Sequence, residues 1–311
     1  MSHRGNDFDV SSKFNTTDPK VVNDEIDRIY LDLYPYAPTS LLDNAFRDLT
    51  RLYRGEYPGY HPCDTAYHDV QHVLDVTLAM ARLIDGYERA RIGAEPFGDS
   101  LFRLGVITAL FHDVGYVREL NDRAHKNGAA YTRTHVSRGS LFLKDYLPRI
   151  GMPEMADIAA ELIHFTGYET PVAKIKVPSP IYKLLGSMLG SADIIAQMAD
   201  RCYLEKCRDR LYPEFVAGGL TTKRTPEGVE QVVFASGEDL VIKTPLFYEG
   251  ASKRLNDELG GCHRYAQTHF GGQHLYLEEL GKNINFAQEL DTEADASILK
   301  RRPPETLKLD S

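Results

Sequence analysis

The chain has 311 residues, 42% of them hydrophobic and 26% charged, and its formal net charge is −9. That length buries a full core as one large domain or two small ones, while the acidic balance disfavours non-specific nucleic-acid binding, which needs a basic surface against phosphates. No apolar run approaches the roughly 20 residues of a membrane span, the first twenty residues lack the apolar stretch of a signal peptide, and Cys63, Cys202, Cys207 and Cys262 form no CxxC pair, so a cytoplasmic protein with buried thiols is expected.

Residues 1–20 read as disordered. Over 39–54 (TSLLDNAFRDLTRLYR) apolar residues recur at helical spacing, with Ser40 as the cap. A loop rich in Gly, Pro and Tyr follows. Residues 67–91 read as a long helix and 98–114 as a buried one. Residues 135–149 are helical and end before Gly151-Met152-Pro153, and 153–165 opens on Pro153, a helix-opening position. Another long helix falls within 179–209, which Pro213 helps to end. Gly218-Gly219 and TTKRTPEG then read as loop, and VEQVVF, ASGED and LVIKTP as a short β-hairpin. Helical character returns over 245–258 and 262–290, and the tail 291–311 is polar and loose. The expectation is an all-α fold with a short β-hairpin insertion and a helical C-terminal region, in one compact domain over 21–290.

Histidines and carboxylates then stand out. His68 and His72 are four apart in YHDVQHVLDV, which puts both imidazoles on one helix face. His112-Asp113 follows the apolar run GVITALF, where an unpaired carboxylate is costly and calls for a partner or a metal. His135 opens one helix, His164 closes another in ELIHFTGY, and Asp193 interrupts the apolar LLGSMLGSADIIAQMAD. A lone His on an apolar helix is ordinarily a satisfied core residue, and an HD dipeptide alone says little. Five imidazoles and two carboxylates on separate helices are hard to explain as packing. Together they suit Fe, Mn, Zn or similar divalent ions.

The order H…HD…D, each member on its own helix, resembles the HD superfamily of metal-dependent phosphohydrolases over roughly residues 60–215. Within it, Tyr67-His68-Asp69-x-x-His72 is similar to the Tyr-His-Asn-x-x-His motif of class I cyclic-nucleotide phosphodiesterases, with Asp in place of Asn. The resemblance implies an HD-domain helical bundle holding two divalent metal ions. His72, His112, Asp113 and Asp193 would bind the first, Asp113 would bridge to the second, and His135 and His164 would complete it as in the binuclear subgroups. It implies hydrolysis of a phosphoester of a nucleotide or related small molecule by a hydroxide between the ions, with His68 as general acid. Tyr67 and Asp69 would either orient that imidazole or serve as capping and surface residues. Fe, Mn, Zn, Mg and Ni all stay open as the metal, and so does the oligomeric state. Departures narrow the substrate. No HHExxDGxGYP motif follows, VGYVREL after His112-Asp113 is not the Glu-Asp pair of guanosine tetraphosphate hydrolases, and Gln197 lies too near Asp193 to equate with a purine-clamping Gln.

A small anionic substrate needs cations near the metals. Arg118, Arg123, Lys126, Arg133 and Arg138 lie in the stretch after Asp113, and Gln197 and Arg201 follow Asp193 on roughly one face. Lys126, Arg133, Arg138, Gln197 and Arg201 are the substrate-binding candidates, and Thr166, Tyr168 and Glu169 candidates for the pocket mouth. Two other readings stand beside hydrolysis. HD-fold di-iron oxygenases share the six ligands, and a non-catalytic nucleotide-binding sensor would use the same pocket. An acid at His68 favours hydrolysis, since an oxygenase has no alkoxide to protonate there.

Overall fold

A computed structural model describes residues 4–225, 228–290 and 298–305. The fold is all-α with one short antiparallel hairpin. Its axis is α3 (Val70–Ala90), apolar on nearly every side and buried accordingly. Around it pack α1 (Pro19–Leu33), α4 (Gly98–Leu110), α7 (Pro180–Ala199) and α12 (Tyr265–His269). Helix α2 (Ser40–Tyr53) covers α1 and α4, while α5 (His135–Arg149) and α6 (Ala156–Leu162) pair beside α7. One contiguous apolar cluster runs from Val10 to Leu299. Among the described residues no helix is long and apolar enough to cross a membrane, and all four cysteines are free thiols.

Several expectations need correction. Residues 4–20 are packed rather than loose. Asp9 accepts hydrogen bonds from the amides of Ser11, Lys13 and Phe14 and pairs with Arg82 of α3 at 2.6 Å. Burying Arg82 without an anion would be expensive, and this segment supplies one. Helix α1 follows, capped by the Asp18 side chain on the Lys20 amide with Pro19 in its first turn. The cap of α2 is Thr39 rather than Ser40, and it makes no side-chain cap bond.

The long helix expected within 179–209 is α7, which stops before Asp200. Its carboxylate accepts the Cys202 amide and the Lys206 ammonium, and the chain restarts as α8 (Tyr203–Lys206), a π-turn (Cys207–Leu211) and α9 (Tyr212–Ala217). Pro213 sits in the first turn of α9 rather than ending a helix. The hairpin pairs β1 (Thr222–Arg224) with β2 (Glu230–Val232), so the TKR of the expected loop is one of its strands. LVIKTP is helical instead, in α10 (Gly237–Ile242) and α11 (Thr244–Lys253), because Ser236 caps α10 through the Asp239 amide. A π-turn follows (Arg254–Glu258). The stretch 262–290 is interrupted at Gly271-Gly272, where both φ angles are positive, before α13 (Leu275–Gln288). Of the tail, residues 298–305 are docked, with Leu299 buried and the Arg301 amide on Glu205. The remainder of 291–311 lies outside the described residues.

Candidate metal centre

Three backbone devices aim the central donors. Asp69 caps α3 by accepting the His72 amide at 3.0 Å, which fixes the turn that carries His72. Helix α4 stops at Leu110, so His112 and Asp113 sit in the turn beyond it, before the 3-10 turn Val114–Tyr116. Gly115 admits α5: a Cβ there would lie 1.8 Å from the His135 carbonyl oxygen.

The result is a tight cluster. His112 Nε2 lies 3.3 Å from His72 Nε2 and 3.1 Å from Asp113 Oδ2, and His72 Nε2 lies 3.2 Å from the same oxygen. Asp193 Oδ1, from α7, is 3.6 and 3.9 Å from the two imidazole nitrogens. Ligand bonds of about 2.1 Å place neighbouring donors roughly 3.0–3.4 Å apart, so the inner three suit one cation. Asp113 Oδ2 is buried with no hydrogen-bond partner. His112 Nδ1 lies 2.7 Å from the Ala109 carbonyl, which can only accept, so that nitrogen carries the proton and a neutral ring turns its Nε2 lone pair to the cluster.

The other oxygen of Asp113 faces elsewhere. His135 Nε2 lies 3.7 Å from Asp113 Oδ1, and His135 Nδ1 donates to the Thr132 carbonyl at 2.8 Å, again leaving Nε2 as the open nitrogen. Among the described residues His164 has no carboxylate within ion-pair distance. Its Nδ1 is buried without a partner. Its loop is wedged between α5 and α7: a Cβ on Gly167 would lie 2.6 Å from Val136, and one on Gly190 would lie 2.4 Å from the Phe165 carbonyl. His72, His112 and Asp113, with the unpartnered Asp113 Oδ2 among them, make a donor set that fits a divalent ion, and no contact links His164 to it among the described residues.

His68 stands one turn away and is not in that cluster. Its Nδ1 lies 2.6 Å from Glu214 Oε2, and Glu214 Oε1 accepts the Tyr67 amide at 2.6 Å. The Tyr116 ring packs against two imidazoles, 4.1 Å from His68 at 18° and 4.4 Å from His135 at 20°, and those two rings are 6.3 Å apart. Sequence reasoning missed both Glu214 and Tyr116. Tyr116 was visible as the aromatic of the VGY following His112-Asp113, whereas Glu214 lies 146 residues from His68 in an unremarked helix end.

Charge explains the titration of these groups. Burial works against a charged His112, but Asp113 and Asp193 outweigh it and raise its pKa to about 9. Burial likewise pushes Asp113 up, and the charges of His112 and His68 overcome it and hold the carboxyl well below its ordinary range. For His68, burial is outweighed by Glu214 and Asp113, and its pKa is raised. His135 goes the other way, lowered by burial against the pull of Asp113.

The candidate substrate contacts separate. Gln197 stays by the site, accepting the Tyr67 hydroxyl at 3.2 Å and bordering a small polar cavity beside His72. Arg138 has another role: it donates to the carbonyls of Gly115 and Val117 and covers the Tyr131 ring at 3.6 Å, bracing the turn after Asp113. Arg201 lies past the end of α7 rather than on its face, held by Asn6. Arg133 donates to the Gly219 carbonyl, and Lys126 is exposed. No family model, curated protein or solved structure matches the chain.

Proposed function

We propose that this protein is a metal-dependent hydrolase of the HD type acting on a phosphoester of a small, nucleotide-like molecule. The observation that carries the reading is the division of Asp113: one oxygen meets His72 and His112, the other faces His135. A carboxylate so placed serves two cations. His72, His112, Asp113 and Asp193 would hold one, and Asp113, His135 and His164 the other. When bound, such ions activate water, polarise a phosphoryl oxygen and neutralise charge at phosphorus.

The chain's own groups supply the rest. His68, its Nδ1–H on Glu214, presents Nε2 as a proton donor for the departing oxygen. Glu214 stabilises the imidazolium and fixes the ring, and its other oxygen is locked by the Tyr67 amide. Tyr116 packs against both that acid and His135. An oxygenase would have no departing oxygen to receive this proton, so the His68–Glu214 pair favours hydrolysis. The test is phosphate release from phosphomonoesters, cyclic nucleotides and nucleoside triphosphates by protein loaded with Mn, Fe or Zn, with and without oxygen. Turnover indifferent to oxygen is expected. Consumption of oxygen with no phosphate released would contradict the reading.

A further inference from the structure

The short stretch that carries His68 is gripped by the chain around the π-turn Cys207–Leu211. Arg210, in that turn, donates through Nη1 to Asp69 Oδ2 at 3.0 Å, and the same nitrogen lies 3.5 Å from the Ala66 carbonyl oxygen. Asp69 is buried, where an unpaired carboxylate is costly, and Arg210 supplies it with a cation. The other oxygen of Asp69 accepts the His72 amide. Four residues after Arg210, in α9, Glu214 takes the Tyr67 amide and the His68 ring. Arg210 and Glu214 thus hold residues 66–72 at both ends, across a turn wider than an α-helical one.

The other arm of Arg210 reaches the tail, where its Nη2 donates to the Pro304 carbonyl at 2.6 Å. The tail itself is held along its backbone. Arg208 donates to the Leu299 carbonyl at 3.2 Å, the Arg301 amide donates to Glu205 at 3.1 Å, and Asn6 donates to the Arg302 carbonyl at 3.0 Å. Leu299 is buried, so this segment has an apolar anchor as well. Helix α10 closes on the π-turn too: a Cβ on Gly237 would lie 2.4 Å from the Arg208 carbonyl oxygen. A continuous path of hydrogen bonds therefore runs from Pro304 through Arg210 and Asp69 to the amide of His72.

We infer that Arg210 is a positioning residue for His68 and that residues 298–305 form a strap that keeps Arg210 on Asp69. The inference rests on the hydrolase reading for the role of His68, but its first test needs no turnover. That test is hydrogen exchange, read by NMR at single amides of the zinc-loaded protein, in Arg210→Gln, in a variant truncated after Lys300, which keeps Leu299, and in the two combined. Each single variant should exchange the Tyr67 and His72 amides about tenfold faster, the loss expected for bonds to charged groups. The Val136 amide, held by Glu169 away from the strap, should not change. The combined variant should be no faster than either alone, because both act through one path. Unchanged exchange in the truncated variant, summed effects in the combination, or equal acceleration at Val136 would overturn the inference. The second test is kinetic. In both single variants alkyl phosphoesters should lose about 10-fold more rate than p-nitrophenyl esters, whose leaving group needs no proton. Equal losses for the two would overturn the positioning of the acid. Loosened amides in a protein that releases phosphate from no ester would instead remove the hydrolase reading and keep the strap.

Discussion

Two of the buried charged clusters on helix α3 are built on opposite principles. Near its middle Arg82 meets Asp9 at 2.6 Å and the Tyr276 hydroxyl at 3.0 Å, with the Phe14, Phe270 and Tyr276 rings about the guanidinium. One cation faces one anion, and Asp9 is satisfied further by three amides. At its start His72 joins His112, Asp113 and Asp193, where two carboxylates meet imidazoles and an Asp113 oxygen has no hydrogen-bond partner. The first cluster pairs its charges one to one and ties the N-terminal segment to the core, although Arg82 Nε has no hydrogen-bond partner. The second has donors to spare and is short of positive charge. A charge-balanced pair should contribute stability, and a cluster of carboxylates and imidazoles should contribute ligand binding.

The sharpest way to break that contrast is a pair of substitutions. Asp113→Ala should abolish turnover and empty the centre of its ions, with the fold intact. Asp9→Ala should leave turnover per folded molecule unchanged and destabilise the protein by about 3–5 kcal/mol, because Arg82 stays buried without its anion. Melting curves and kinetics on both variants decide it. Swapped effects would mean that the roles of the two clusters are reversed.

His68→Ala comes next. It should lower the rate by roughly 10²–10⁴-fold while both ions stay bound. The loss should shrink for p-nitrophenyl esters, whose leaving group needs no proton. Loss of metal in this variant would make His68 a ligand instead.

A smaller effect is expected at Gly115. Its Cβ would meet the His135 carbonyl at 1.8 Å, so Gly115→Ala must push α5 from the turn carrying Asp113. The second ion should weaken and the first should stay. Equal weakening of both ions, followed by competition with a chelator, would show that the two halves of the centre are not separate.

The smallest effect is a matter of pH. The Asp9 carboxyl, pushed up by burial but drawn further down by Arg82, sits at about 2 against an ordinary 3.8. A depressed carboxyl stabilises the fold above its unfolded value, and that contribution, about 2 kcal/mol, fades as pH falls from near 4 through 2. Wild-type stability should therefore drop across that window, and Asp9→Asn should flatten part of the slope. Identical slopes would assign the acid sensitivity to other carboxyls.

What the sequence disclosed, and what it hid, follow from the range of each interaction. His72, His112, Asp113 and Asp193 were legible because charged or ligating groups inside apolar helical runs need a reason to be there. The helical class was legible from apolar spacing. Helix α1 was missed although Val22, Ile26, Ile29 and Tyr30 keep that spacing, because acidic residues break up the run VVNDEIDRIYLDL. The hairpin was displaced because LVIKTP is too short and apolar for periodicity to separate strand from helix, while the Ser236 cap four residues before Leu240 held the answer. Asp9 with Arg82 and Glu214 with His68 were invisible for another reason. Their partners lie 73 and 146 residues apart, and no local pattern marks a carboxylate destined for a distant cation.

The most direct test of the account is metal stoichiometry. Protein reconstituted with excess Mn(II), desalted and analysed for bound metal should carry near two ions per chain. The His135→Ala, His164→Ala double variant should carry near one, because it keeps His72, His112, Asp113 and Asp193. A wild type with a single tightly held ion, unchanged in the double variant, would contradict the two-ion centre on which the proposed chemistry depends.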